Sequence, residues 1–397
     1  MPNQSTNNEV NAIILAAGQG TRMNSSVSKV LHEVGNKTLI QHVIDAAMPL
    51  ASFINVIIGH NSESVKKSTQ SNLIKWVLQK NQLGTGHAVM QAIPNIKKDS
   101  MCLILYGDVP LIQTQTLLKL LEKANKTGFS LLTVIANDPS GYGRIIRDSS
   151  KSIQSIIEHK DANTEELEID EVNTGIMAIT GALLTKYLNQ LEPNNSQGEL
   201  YLTDIVEKAV KDNVNIASFI CENATEVMGI NDKNNLAKAE RAYQLKIADE
   251  LMKDGLTIKD PSRFDCRGNL IFGNDCIIDV NVIFEGEVRL GKNVLISPNC
   301  IIKNSKIGDN AHIMPNSMIE DSVIGSHTSI VPFARIRPET HIGSHAPLGN
   351  FVEVYKSTID DNSKTSHLSY IDDSQIGTCV NIGRVVISCN YNGINKS

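Results

Sequence analysis

Aromatic residues are scarce in this chain of 397 residues: Phe, Trp and Tyr together make up 4 %, with a single Trp. A fold built on aromatic packing is therefore excluded. Basic charge is not in excess either. Lys and Arg number 37 against 43 Asp and Glu, for a net charge of −6 and a pI near 6.0. Neither nucleic acid nor an anionic membrane surface is an expected partner of such a surface. No apolar run approaches the ~18 residues of a membrane span. Met1 to Val10 is polar, with no apolar stretch of the kind a secretory signal needs. The seven cysteines (102, 221, 266, 276, 300, 379 and 389) are odd in number and form no CxxC pair. They read as small apolar residues of a protein in a reducing, cytoplasmic setting.

What is present points to at least two domains, since one hydrophobic core stops growing at roughly 250–300 residues. Up to residue 232, strand-like and helix-like patterns alternate. Ala12–Ala17, Ile54–Gly59 and Cys102–Tyr106 are near-continuous apolar runs, as buried parallel strands require. Further strands are expected at Leu131–Ala136, Ile176–Ile179 and Val214–Ile220, and helices over Lys37–Met48 and Gln113–Lys126. The alternation predicts an α/β domain with a mostly parallel, Rossmann-like sheet over 1–232. Ligands of such sheets sit beyond the carboxyl ends of the strands. Residues 233–254 contain no Gly or Pro and read as a linking helix, with Leu236, Ala239, Ala242, Tyr243, Leu245 and Ile247 as its apolar stripe and Gly255 as its C-terminal stop.

From Phe272 the chain repeats every six residues. Phe272, Ile278, Phe284, Leu290, Ile296 and Ile302 are evenly spaced; one five-residue step leads to Ile307, Ile313 and Ile319, and another to Ile324, Ile330, Ile336, Ile342, Leu348 and Val354. A hexapeptide period marks a parallel β-helix, here over 255–397, with coils of about 18 residues. Such a solenoid needs caps at its ends.

The first apolar strand runs into Leu15-Ala16-Ala17-Gly18-Gln19-Gly20-Thr21-Arg22-Met23. Glycines let a backbone approach a phosphate closely, and Arg22 adds a charge-assisted clamp. The spacing is neither a dinucleotide fingerprint nor a Walker A loop. As a whole the nonapeptide resembles the signature of sugar-phosphate nucleotidyltransferases, with Ser28-Lys29 where those enzymes carry Pro-Lys. Gln79…Gln82-Leu83-Gly84-Thr85-Gly86-His87-Ala88 is similar to their uracil-reading segment, and Leu105-Tyr106-Gly107-Asp108-Val109-Pro110-Leu111 to their metal-binding strand end. Gly141-Tyr142-Gly143-Arg144, Glu158-His159-Lys160, Asn173-Thr174-Gly175 and Gly229-Ile230-Asn231-Asp232 follow in the expected order. Together with the hexapeptide region, residues 11 to about 396 resemble the bacterial family of bifunctional N-acetylglucosamine-1-phosphate uridyltransferases / glucosamine-1-phosphate acetyltransferases.

That resemblance implies a left-handed β-helix, a homotrimer, and a Mg2+-dependent transfer of UMP from UTP to N-acetylglucosamine-1-phosphate for peptidoglycan and lipopolysaccharide precursors. It nominates Asp108 and Asn231 as metal ligands, and Lys29 and Arg22 as the catalytic cations. Leu15, Ala16, Ala17, Gly18, Gln79, Gly84, Thr85, Tyr106 and Gly107 would hold the nucleotide, and Gly143, Glu158 and Asn173 the sugar. Without the resemblance, Glu158 beside His159 and Lys160 reads as a solvated charge run. In the second domain the resemblance nominates His367 as the general base of acetyl transfer from acetyl-CoA to glucosamine-1-phosphate, with Glu353 orienting it. Arg337, Tyr370, Asn381, Arg384, Asn390 and Tyr391 are nominated as substrate contacts, and Lys396 as a neighbour of both substrates. The family pattern has Lys where Tyr355 stands and Ala-Gly where Arg384-Val385 stands, and it continues past Ser397 through further coils. These departures predict acetyl transfer that is absent or very weak. A fully bifunctional enzyme, a β-helix serving only as an assembly scaffold, and a nucleotidyltransferase for another base or sugar are the competing readings.

Overall fold

A computed structural model describes residues 9–18, 20–59, 62–69 and 71–388. The chain divides into two units, Met1–Ala239 and Glu240–Ser397.

The first unit is built on a nine-stranded sheet: β1 Val10–Ala16, β2 Phe53–Ile58, β3 Ile74–Leu78, β4 Met101–Tyr106, β5 Phe129–Ile135, β6 Arg144–Arg147, β7 Ile153–Ile157, β8 Glu171–Thr180 and β9 Ala217–Cys221. Across the sheet the order is β9-β5-β8-β4-β1-β2-β3, with β6 beside β8 and β7 beside β6. Strand β1 pairs in parallel with both β2 and β4. The chain thus winds outward from β1 through β2 and β3, then crosses over to begin again at β4. The reversal opens a crevice between the carboxyl ends of β1 and β4, where open α/β sheets bind ligands. Strand β8 runs antiparallel to both neighbours, and its pairing with β5 shifts register between Asn173 and Met177. That irregularity lies beside the end of β4, so a run expected only at Ile176–Ile179 starts earlier and brings Asn173–Gly175 to the crevice.

The central strands are apolar because both faces are covered. Ala12, Ile13 and Ile14 in β1 and Leu103, Ile104 and Leu105 in β4 are fully buried. Helix Leu39–Ala47 covers one face through Leu39, Ile40, Val43 and Ile44, and Thr38 caps its first turn. It begins two residues later than the apolar spacing suggests, because Lys37–Thr38 pairs with Glu33–Val34 in a short hairpin. Helix Thr114–Thr127 stops at Gly128, whose N–H closes on the Ala124 carbonyl at 2.7 Å.

The second unit is a parallel β-helix. Each predicted apolar position from Ile278 to Val354 is buried. The positions stack in three columns: Ile278, Ile296, Ile313 and Ile330; Phe284, Ile302, Ile319, Ile336, Val354 and Ile371; Leu290, Ile307, Ile324, Ile342 and Ile359. Phe284 pairs with Ile302, 18 residues on, but Ile302 with Ile319, 17 residues on. The five-residue steps of the sequence therefore shorten a coil by one residue instead of breaking the register. Corners are turned by residues at positive φ, among them Asn281, Asn299 and Asn316. Asn tolerates that conformation, and here its amides form a ladder: Asn281 donates to Asn299 at 3.0 Å and Asn299 to Asn316 at 3.2 Å.

Helix Lys233–Lys253 contributes its later turns to this unit, where Ala248 joins the β-helix core and Ile247, Leu251 and Met252 pack against it. This is the cap a first coil requires. The expected stripe is corrected at one point. Leu245 is 41 % exposed, and Gln244 turns inward instead, its Oε1 accepting the Cys266 N–H at 2.7 Å. A polar side chain belongs there because the first strand leaves that amide without a ladder partner. The chain turns out of the helix at Gly255, at φ 104°. Cys102, Cys221, Cys266, Cys276 and Cys300 are buried free thiols, as small apolar residues would be; Cys379 is exposed.

Candidate active site

The carboxyl ends of β1 and β4 open into a cavity of about 430 Å³. Of the residues expected at the nucleotide, Leu15, Ala16, Ala17, Gly18, Lys29, Gln79, Gly84, Thr85, Tyr106, Asp108 and Asn231 line it. Gly107 is not part of the wall; its N–H pairs with the Leu15 carbonyl at 2.9 Å and so holds the two strand ends together.

Four side chains from distant parts of the sequence converge at one end. The Lys29 ammonium is paired with the Asp108 carboxylate, and each side chain is 15 % exposed. It also donates to Asn231 Oδ1 at 3.3 Å, and Arg22 Nη2 donates to the same oxygen at 2.9 Å. The local chain explains how Lys29 gets there. Gly20 sits at φ 62°, and a Cβ on it would lie 2.6 Å from Lys29 Cβ, so only glycine lets the loop close over that lysine. Ser28, where the resembling enzymes carry Pro, adopts φ −55°. A proline would impose much the same angle, so the loop reaches the required shape without one.

The cation-facing oxygens, Asp108 Oδ2 and Asn231 Oδ1, are hard donors directed at one positive group, which Lys29 supplies. This donor set fits Mg2+, which takes one or two protein oxygens and keeps its other positions for water and phosphate.

The expected sugar residues form a cluster of their own beside the cavity rather than in its wall. Asn173 donates its N–H to the Gly143 carbonyl at 2.8 Å, and its Oδ1 accepts the Gly175 N–H at 3.0 Å. Glu158 Oε1 accepts from the Thr203 hydroxyl at 2.9 Å. Burial raises the Glu158 carboxyl above the ordinary glutamate range, with the Thr203 bond pulling the other way. The charge-run reading of Glu158 is therefore corrected: the side chain turns away from solvent. Tyr106 connects cluster and cavity. Burial pushes its hydroxyl far up, and the nearby Glu158 and Asp108 carboxylates add to the shift. Gly175, at φ 80°, lies flat against that ring.

Residues 199–203 were not legible as part of the site. Glu199 lines the cavity, the Leu200 carbonyl accepts the Gly86 N–H at 2.8 Å, and Thr85 Oγ1 accepts the Leu202 N–H at 3.0 Å. This segment braces the Gly84–Gly86 turn from outside. Gln82, Tyr142, Thr174 and Gly229 also line the cavity. They stand inside the quoted motifs, which was the available signal; the 199–203 segment carries none.

In the second unit, Arg337 is held on three sides. Its Nη1 donates to Glu353 at 3.0 Å, its guanidinium lies 4.4 Å from the Tyr355 ring centroid, and it is hydrogen-bonded to Tyr370. Glu353 thus faces Arg337, not His367. His367 instead accepts the Asn350 N–H on Nδ1 at 3.0 Å. Arg384 is exposed, one coil beyond His367, and Asn381 pairs with Lys364 on the neighbouring strand column. Asn390, Tyr391 and Lys396 lie outside the described residues.

A phosphate loop and a carboxylate at adjacent parallel strand ends, followed by a hexapeptide coil, define a nucleotidyltransferase joined to an acyltransferase-type β-helix. A MobA-like NTP transferase domain matches residues 12–166, and the bacterial transferase hexapeptide family (six repeats) matches residues 304–338. The chain is 53 % identical over 387 residues to the bifunctional protein GlmU of Ruthia magnifica subsp. Calyptogena magnifica, covering 98 % of this chain and 85 % of that one. It is 56 % identical over 389 residues to that of Vesicomyosocius okutanii subsp. Calyptogena okutanii, with 98 % and 86 % covered. To that of Idiomarina loihiensis it is 48 % identical over 390 residues, again with 98 % and 86 % covered. The chain belongs to the GlmU family of bifunctional proteins.

Proposed function

We propose that the first unit transfers UMP from UTP to N-acetylglucosamine-1-phosphate, giving UDP-N-acetylglucosamine and pyrophosphate. The observation that carries this reading is the meeting of Lys29, Arg22, Asp108 and Asn231 at the mouth of a cavity lined by Gln79, Gly84 and Thr85. The sugar phosphate oxygen attacks the α-phosphorus in line as pyrophosphate leaves. Positioning and charge neutralisation suffice for such a transfer. The loop from Ala16 to Arg22 cradles the triphosphate, Lys29 and Arg22 hold its charge, and Glu158 and Asn173 hold the sugar. Asp108 and Asn231 are the residues to hold Mg2+, which when bound neutralises charge on the phosphate oxygens.

The second unit is assigned to acetyl transfer from acetyl-CoA to glucosamine-1-phosphate, running slowly. Relatives spanning 98 % of the chain carry the name of a bifunctional protein, and this disfavours a scaffold-only role. Three features favour a slow rate: the aromatic ring of Tyr355 in place of a cation, the guanidinium of Arg384, and a His367 Nδ1 lone pair already spent on Asn350. Assembly as a trimer is the reading consistent with hexapeptide repeats. A cytoplasmic location agrees with the absence, among the described residues, of any helix long and apolar enough to cross a membrane.

Pyrophosphate release measured with four nucleoside triphosphates against several sugar-1-phosphates tests the first assignment. UTP with N-acetylglucosamine-1-phosphate is expected to be fastest. A clear preference for another base or sugar would replace it.

A further inference from the structure

Gln79 follows β3 and is almost fully buried, at 3 % exposure. Its Nε2 donates to the Gly84 carbonyl at 3.2 Å and lies 3.1 Å from His87 Nδ1. Both amide hydrogens are therefore committed to the protein. Turning the carboxamide over would set its oxygen against the Gly84 carbonyl. Among the described residues no donor reaches Oε1, and Gln79 lines the nucleotide cavity. The group offered to a base is thus an acceptor.

His87 has a second amide neighbour. Gln91 Nε2 lies 3.2 Å from His87 Nε2 and 3.1 Å from the His87 carbonyl. A neutral imidazole accepts on one nitrogen and donates on the other. Only one of the two glutamines can keep its NH2 toward the ring. Gln91 is half-exposed and can turn, with water replacing what it loses. Gln79 is sealed and cannot. The ring therefore accepts from Gln79 on Nδ1, and its proton sits on Nε2, facing Gln91.

We infer that His87 is a positioning residue for base selection: by accepting from Gln79 Nε2 it locks the carboxamide with Oε1 toward the base. This inference rests on the uridylyl reading above. An acceptor at that place pairs with a base that carries a ring N–H, as uracil does at N3. Cytosine presents a lone pair there and is repelled. With the lock removed, the amide can present either end, and discrimination falls.

The test is the ratio of kcat/KM for UTP to that for CTP, with N-acetylglucosamine-1-phosphate, in the full chain. His87→Leu removes the acceptor at similar volume. His87→Gln keeps a polar side chain but reaches toward Gln91 rather than Gln79, and serves if the leucine variant does not fold. His87→Asn places a carbonyl oxygen near the Nδ1 position. The ratio is expected to fall about tenfold in the Leu and Gln variants, with kcat on saturating UTP within a few-fold of the parent, and to be largely restored in the Asn variant. An unchanged ratio in Leu and Gln overturns the inference, as does an equal fall in all three, which would mean packing alone. A parent chain that does not use UTP would sink the uridylyl reading itself, and this inference with it.

Discussion

Replacing Asp108 by Asn keeps the shape of the side chain and removes its charge. In the fold this carboxylate closes β4 and faces the Lys29 ammonium with both side chains 15 % exposed. The loss of a charge-assisted bond at such a site costs about 1.5–3 kcal/mol, partly returned because the Asn oxygen still accepts. Lys29 can lean on Asn231 Oδ1, 3.3 Å away, but Arg22 already donates to that oxygen. The folded state should therefore lose little, on the order of 1 kcal/mol. Activity should lose far more, because the carboxylate is also the charged ligand proposed for Mg2+. Removing one electrostatic stabiliser of a developing charge typically costs ~10²–10³ in kcat, and a loss of at least ~10²-fold is expected here. The assay is pyrophosphate release from UTP and N-acetylglucosamine-1-phosphate over a magnesium titration, run beside a urea unfolding curve. Binding of Mn2+ in the absence of substrates gives a readout independent of turnover and should weaken in the variant. Near-parental turnover at ordinary magnesium would refute the assigned site.

Gly175→Ala should destabilise the first unit by about 2–4 kcal/mol, since the residue sits at φ 80° and a Cβ would lie 2.4 Å from the Tyr106 ring; an unchanged urea midpoint would contradict this. Burial pushes the Asp204 carboxyl up to about 6 from an ordinary 3.8. The folded state therefore binds the proton more tightly than the unfolded chain, and stability is lost as pH rises through about 6. Asp204→Asn should raise the melting temperature at pH 8 and leave it unchanged near pH 3; a gain equal at both values would point to another cause. A fragment ending at Ala239 should fold and keep part of its uridylyl transfer, because β1 to β9 and their covering helices lie within it. Recovery only as inactive aggregate would place the boundary inside a core. Thiol release from acetyl-CoA with glucosamine-1-phosphate should be slow, and robust activity abolished by His367→Ala would establish the second reaction at full strength.

Periodicity settled the second unit before any coordinates were needed. Each hexapeptide buries one apolar residue in a column of like residues, so spacing alone carries the architecture, and even the five-residue steps were visible. What periodicity cannot show is where a lost residue is absorbed, and pairing at 17 or 18 residues is decided by the stack. In the first unit, short-range chemistry was legible: a glycine-bearing loop after an apolar run, and an Asp closing another. The parallel strands were readable because both faces are buried and no alternation survives. The antiparallel insertion of β8 was not, since its pairing depends on partners more than forty residues away. Nor was the face of the linking helix that turns inward, where an unpaired backbone amide drew in Gln244 over Leu245. The same limit governs the site. Sequence identified Lys29, Asp108 and Asn231 one at a time, through motifs. Only the crossover between β3 and β4 brings Lys29 to Asp108, 79 residues on, and to Asn231, 202 residues on. The orientation of a single carboxamide at Gln79 depends on a carbonyl and an imidazole supplied by the following turn. Side-chain geometry of that kind is a property of the packed structure and has no signature in residue order.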